Sequence, residues 1–159
     1  MPPLTITLPS DREIQITRSF AAPADLVFDC WTVPALIQRW LGPADWVFTH
    51  CEFDARVGGK WRFVTRGPDG FEMASGGEVL EITRPTWIKT TELYDMDWTG
   101  GETINTNRIT EQNGVTTSVV TILYASKEAR DGARATPMAE GMEMGFKRLD
   151  ELLADMPAS

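Results

Sequence analysis

The sequence predicts an α+β domain in which a curved, seven-stranded antiparallel sheet wraps around one long C-terminal helix. Three observations lead there. Six strand-like segments follow one another between Trp46 and Tyr124 through short, turn-rich connections, as antiparallel neighbours do. Two short helical patterns come directly after a first strand. The last apolar pattern of the chain, from Met138 to Leu153, repeats at helical spacing.

Residues 1–11 are rich in Pro and Thr without a sustained period and are expected to form a flexible lead-in; residues 12–156 form one domain. Ile14 and Ile16 alternate with polar neighbours from Arg12 to Phe20, the pattern of a half-buried strand. Pro23 suits a helical first turn, and Leu26, Val27, Cys30 and Trp31 follow at helical spacing. Pro34 opens a second short helix carrying Leu36, Ile37, Trp40 and Leu41, which Gly42-Pro43 stops.

Trp46 to Phe53 reads as a strand, and Asp54 to Gly59 as a turn in which Asp54 and Arg56 are placed to pair. Lys60 to Arg66 is the next strand, with Trp61 and Phe63 on one face; Gly67-Pro68-Asp69-Gly70 makes a hairpin connection. Phe71 to Ile82 is long for a strand, and Gly76-Gly77 inside it predicts a bulge where the sheet bends. Arg84-Pro85 turns the chain into Trp87 to Tyr94. Glu102 to Glu111 and Val115 to Tyr124 flank Asn113-Gly114, whose residues tolerate the positive φ of a tight hairpin.

Ser126 to Ala135 is helical in pattern. Thr136-Pro137 then reads as an N-cap and first helical residue of a helix reaching about Asp155. At 1.5 Å per residue that helix spans roughly 28 Å, enough to lie across the whole sheet.

An excess of 23 acidic over 15 basic residues gives a net charge of −8. Phosphate backbones and anionic lipid surfaces are repelled by such a field, so neither nucleic acid nor membrane is expected as a partner. No basic region followed by an apolar stretch opens the chain, so no secretory signal is expected. Cys30 and Cys51 are too few for a disulfide framework and read as buried thiols in a reducing cytoplasm. Oligomeric state, monomer or homodimer, stays open.

The order and spacing of several motifs carry a resemblance. They are Pro23-Ala24-Asp25-Leu26-Val27-Phe28-Asp29-Cys30-Trp31-Thr32, then Pro34 and Arg39-Trp40-Leu41-Gly42-Pro43, then Asp54-x-Arg56-x-Gly58-Gly59-x-Trp61. Pro68-Asp69-Gly70, Gly77-Glu78-Val79-Leu80-Glu81-Ile82, Gly141-x-x-x-Gly145-Phe146 and Leu149-Asp150-x-Leu152 complete the set. Together they resemble the activator-of-heat-shock-protein-90-ATPase homologue family, within the START/Bet v 1-like (SRPBCC) helix-grip superfamily, over nearly all of Arg12 to Leu153. Val33 stands where the family suggests an Asp N-cap, and Phe146 where it suggests Trp. The resemblance implies the helix-grip fold far more firmly than any one activity.

Gly141 and Gly145, one helical turn apart, remove side chains from the gripped helix, either for close packing or for room. Met138, Met142 and Phe146 on that helix, facing Trp61, Phe63 and Met73 on strands, read as a cavity lining. Trp40, Trp46 and Phe48 join them as candidate ligand-binding positions. The leading expectation is a small, mostly hydrophobic ligand between sheet and helix.

No catalytic residue, metal site or cofactor is assigned. The only histidine, His50, lies on the opposite strand face from Cys51, and beside Glu52 it reads as a surface contact. Asp95 and Asp97 before Trp98 read as a solvated acidic lip. The resemblance implies two alternatives: a co-chaperone-like interaction module using Tyr94 to Trp98 or the last helix, and a cofactor-free cyclase or hydrolase. The latter needs buried polar residues such as Glu78, Glu92, Asn105 or Arg108 inside the cavity.

Overall fold

A computed structural model describes residues 1–157. The elements in chain order are β1 (Thr5–Thr7), β2 (Glu13–Phe20), α1 (Ala24–Thr32), α2 (Pro34–Ile37), β3 (Val47–Phe53) and β4 (Lys60–Arg66). They continue as β5 (Glu72–Thr83), β6 (Trp87–Tyr94), β7 (Thr103–Gln112), β8 (Val115–Leu123), α3 (Lys127–Arg134) and α4 (Met138–Asp155). All strand pairs are antiparallel, in the order β1-β2-β8-β7-β6-β5-β4-β3. β2 therefore closes against the last strand, and α4 packs beneath both.

Period-two alternation builds the floor. Ile14, Ile16 and Phe20 of β2 and Val120 and Ile122 of β8 point inward and meet Phe146, Leu149, Leu152 and Leu153 of α4. The Phe20 and Phe146 rings meet edge to face, 5.7 Å apart. Asn113 and Gly114, at φ 54° and 79°, turn β7 into β8 as their sequence predicts. Pro23 opens α1 and leaves no side-chain cap there; Glu111 Oε1 instead accepts from Ala24 N at 2.7 Å.

Three expectations need correction. Among the described residues the sheet has eight strands, not seven. The extra one, β1, lies in the segment read as a flexible lead-in. It pairs Thr5, Ile6 and Thr7 with Thr17, Ile16 and Gln15, and Leu4 N donates to Glu143 Oε1 on α4. Three residues between prolines are too few to show a period.

The register shift in β5 falls between Val79 and Glu81, beyond Gly76-Gly77, whose pairing with β4 is regular. Glycine is needed at 77 because β6 passes so close that a Cβ would collide with the Thr91 carbonyl. Finally, Thr136 does not cap α4. Its hydroxyl donates to Ala133 O at 2.6 Å and finishes α3, so α4 starts at Met138 without a side-chain cap.

An aromatic cavity with one acidic end

The C-terminal half of α4 is packed onto β2 and β8, whereas its N-terminal half stands off β4, β5 and β6. A half-enclosed cavity of about 570 Å³ fills the gap. The two helix glycines divide the work. A methyl on Gly145 would come within 3.2 Å of the Trp40 carbonyl, so this glycine serves close packing; Gly141 has nothing within 4 Å and opens onto the cavity.

All nine sequence-predicted positions border this space: Trp40, Trp46, Phe48, Trp61, Phe63, Met73, Met138, Met142 and Phe146. Their situations differ. Trp40 is a locked part of the wall, its Nε1 donating to Cys30 O at 2.8 Å and its ring stacked on Phe146. Trp61 and Phe63 follow the β4 alternation, and Trp61 Nε1 reaches over Gly77 to Thr91 O at 3.0 Å. Trp46, Phe48 and the exposed Met73 lie toward the solvent side. A register shift between Phe48 and His50 lets Phe48 and Phe53 both face inward while His50 and Glu52 face out. Those last two make the exposed 3.3 Å contact expected of them.

Polar groups gather at one end. Along β6, Ile88, Thr90, Glu92 and Tyr94 occupy the inward positions, which brings Glu92 opposite Thr103 of β7. Asn105 Nδ2 donates to Thr103 Oγ1 at 3.1 Å, and both side chains lie against the Glu92 carboxyl. Burial pushes that carboxyl up to about 7, and the Asn105 and Thr103 hydrogen bonds offset only part of the effect. The exposure Glu92 retains is toward the cavity. Tyr94 and Tyr124 stand close enough to feel its charge; burial first, and Glu92 second, push both phenols upward, Tyr124 to about 12. Tyr124 Oη also meets Met138 Sδ of α4 at 3.9 Å.

Of the four polar residues offered as candidates for a catalytic role, Glu92 and Asn105 line the cavity. Glu78 and Arg108 lie outside it, Glu78 beside Lys60 and Arg108 over the Trp87 ring at 4.6 Å. The acidic loop is only partly a solvated lip. Asp95 pairs outward with Arg62 at 2.6 Å, but Trp98 folds back against Tyr94 and becomes wall. The sequence reading missed Tyr94, Trp98, Thr103 and Tyr124 as wall residues. The phase of Ile88, Thr90, Glu92 and Tyr94 in β6 is the signal that points to this end.

A long helix gripped by an antiparallel sheet over an interior hollow defines a helix-grip domain. Residues 21–154 match the family model described as Activator of Hsp90 ATPase homolog 1-like protein, and the chain belongs to that family. A protein of Rhodobacter sphaeroides is similar at 34% identity and a TM-score of 0.93, over 98% of this chain and 100% of its own. Proteins of Mycobacterium smegmatis (24% identity, TM-score 0.84, 98% and 99% covered) and Nitrosomonas europaea (22%, 0.81, 92% and 97%) share the fold. No curated protein matches the chain. No described helix is long and apolar enough to cross a membrane.

Proposed function

We propose that this domain binds a small, mostly apolar molecule in the cavity between the sheet and α4. One observation carries the reading: a hollow of about 570 Å³, walled by aromatic and methionine side chains, is held open where α4 carries no side chain at Gly141. Small-molecule sites typically occupy ~300–1,000 Å³ and combine apolar walls with a few convergent polar groups. The test is a melting-temperature screen against neutral aromatic, acyl and sterol-like compounds, repeated on Gly141→Leu. A ligand at 100 times its Kd adds about 2.7 kcal/mol to the stability of the folded state. Leucine at 141 projects into the hollow and should weaken that ligand roughly ten-fold or more. A melting point left unchanged by every compound, charged as well as neutral, sinks the proposal.

A second reading, cofactor-free acid–base catalysis, draws on Glu92 alone. A carboxyl pushed up to about 7 in a cavity is suited to exchanging a proton with a bound substrate near neutrality. Turnover that survives Glu92→Gln unchanged would dismiss it. The co-chaperone-like reading draws on the surface that Met96 and Trp98 expose and on the last helix, whereas Tyr94 turns into the cavity wall.

A further inference from the structure

The charges around the cavity are one-sided. Among the described residues that line it, Glu92 is the sole carboxylic acid, and no lysine, arginine or histidine accompanies it. The buried end of the molecule shows what a paired site looks like here. Beneath β2, Arg18 is held between Glu143 and Asp150 at 3.0 and 2.9 Å. Glu92 has no such partner among the described residues. What faces it is Thr103 and Asn105 from β7, Tyr94 from its own strand and Tyr124 beyond β8, with Met138 of α4 next to Tyr124. None of these carries a positive charge, and neither phenol ionises near neutrality.

A carboxylate withdrawn from water without a counter-charge is costly, and the cost is relieved when a cation arrives. The same arrangement repels an anion: a fatty acid or other carboxylate would meet Glu92 with nothing to neutralise it. Indole and phenol faces nearby favour a cation too, since Trp61, Trp98, Tyr94 and Tyr124 all present π-systems to the cavity. The net charge of −8 raises the local concentration of cations and lowers that of anions.

We infer that the ligand is a hydrophobic cation, an apolar body ending in a protonated amine that docks on Glu92. The inference rests on the binding reading above and specifies its chemistry. The aromatic walls take the apolar body. The amine donates to the Glu92 carboxylate, which Thr103 and Asn105 hold in place. A carboxyl that titrates near neutrality when the cavity is empty becomes fully ionised when the cation binds, so binding expels protons.

Three probes of nearly equal shape test this: 2-(2-naphthyl)ethylamine, 2-(2-naphthyl)ethanol and 2-naphthylacetate, titrated by calorimetry into wild-type protein and Glu92→Gln at neutral pH. The amine should bind roughly ten-fold or more tighter than the alcohol, and the acid weakest. In Glu92→Gln the amine should lose about that factor while the alcohol changes little. Should the glutamine variant fold poorly, the wild-type protein suffices: titration in two buffers of different ionisation enthalpy should show net proton release when the amine binds near pH 7, and none for the alcohol. An alcohol that binds as tightly as the amine, or an amine indifferent to Glu92, overturns the cation and leaves cavity binding intact. If none of the three binds while a neutral compound from the melting screen does, the cation reading alone falls. Silence from both sets removes both.

Discussion

Arg18 and Asp150 meet in a two-pronged pair, Nη1 to Oδ1 and Nη2 to Oδ2 each at 2.9 Å, which fastens β2 to α4. Glu143 completes the clamp from one side, and the Arg18 guanidinium lies 5.1 Å from the centre of the Phe20 ring. Burial works against the arginine's charge, but the two carboxylates more than hold it. Removing the arginine strands two acids at a buried seam. Arg18→Met should therefore cost roughly 3–5 kcal/mol. Asp150→Ala should cost less, about 1–3 kcal/mol, because Asp150 is 28% exposed and Glu143 stays in place. Urea unfolding measures both, and equal losses would contradict the central role of Arg18.

The two glycines of α4 should respond oppositely to alanine. Gly141→Ala meets open space and gains up to ~1 kcal/mol of helix propensity. At Gly145 the added methyl presses on the Trp40 carbonyl. Arg148 holds that stretch of backbone through Gly42 O and Arg39 O, so the carbonyl has little freedom to yield. Gly145→Ala should be the less stable variant by about 1 kcal/mol or more in thermal unfolding.

Gly77→Ala should be the most damaging glycine change in the sheet. The methyl collides with the Thr91 carbonyl and with the Trp61 indole nitrogen bonded to it. Separating β5 from β6 should cost roughly 3 kcal/mol or more. Circular dichroism melting would show it, and a near-normal melt would mean that the strands can part without loss.

The pH dependence of stability carries the signature of Glu92. Its carboxyl sits higher in the folded chain than in the unfolded one, so between the ordinary 4.5 and about 7 the folded state holds the extra proton. Stability from this group therefore falls as pH rises through that window, by up to roughly 3 kcal/mol, and is level above it. Glu143 works in the other sense. Burial would raise it, but the Arg18 hydrogen bond leads a set of interactions that bring it below the usual range. Its contribution is present above the unfolded carboxylate range and fades as pH drops through the folded value. Glu92→Gln should flatten the decline toward neutrality and leave the acid limb unchanged in denaturant titrations at a series of pH values.

Both thiols should be slow to react in the folded protein. Burial pushes Cys30 to about 12, with Asp29 adding to the effect, and pushes Cys51 to about 11. At about pH 8 that leaves on the order of one Cys51 in a thousand as thiolate. A disulfide reagent should titrate neither thiol until denaturant is added, and then two per chain; prompt labelling of one would refute this.

The apolar wall was readable because its residues obey simple periods. Trp61 and Phe63 alternate along β4, and Met138, Met142 and Phe146 repeat along α4. Strand order followed from turn chemistry at Gly67–Gly70 and Asn113-Gly114. The acidic end was harder. A glutamate in a strand normally faces water, and although Glu92 shares the phase of Ile88, Thr90 and Tyr94, nothing near it in sequence shows that Thr103 of β7 lies opposite it. Strand pairing over long sequence distance leaves no local mark. The same holds for β1, whose partners are Gln15, Ile16 and Thr17 of β2 and whose own three residues are silent. The Val79–Glu81 irregularity escaped because the neighbouring glycines offered a more obvious bend.

Five of the six tryptophans, Trp31, Trp40, Trp46, Trp61 and Trp98, border the cavity. The sixth, Trp87, lies outside it, bonded to Glu81 and covered by Arg108. Nearly all the ultraviolet emission of this protein thus originates around one hollow. Whatever enters it must quench or recolour that light, and the molecule is its own optical reporter, with no dye to attach.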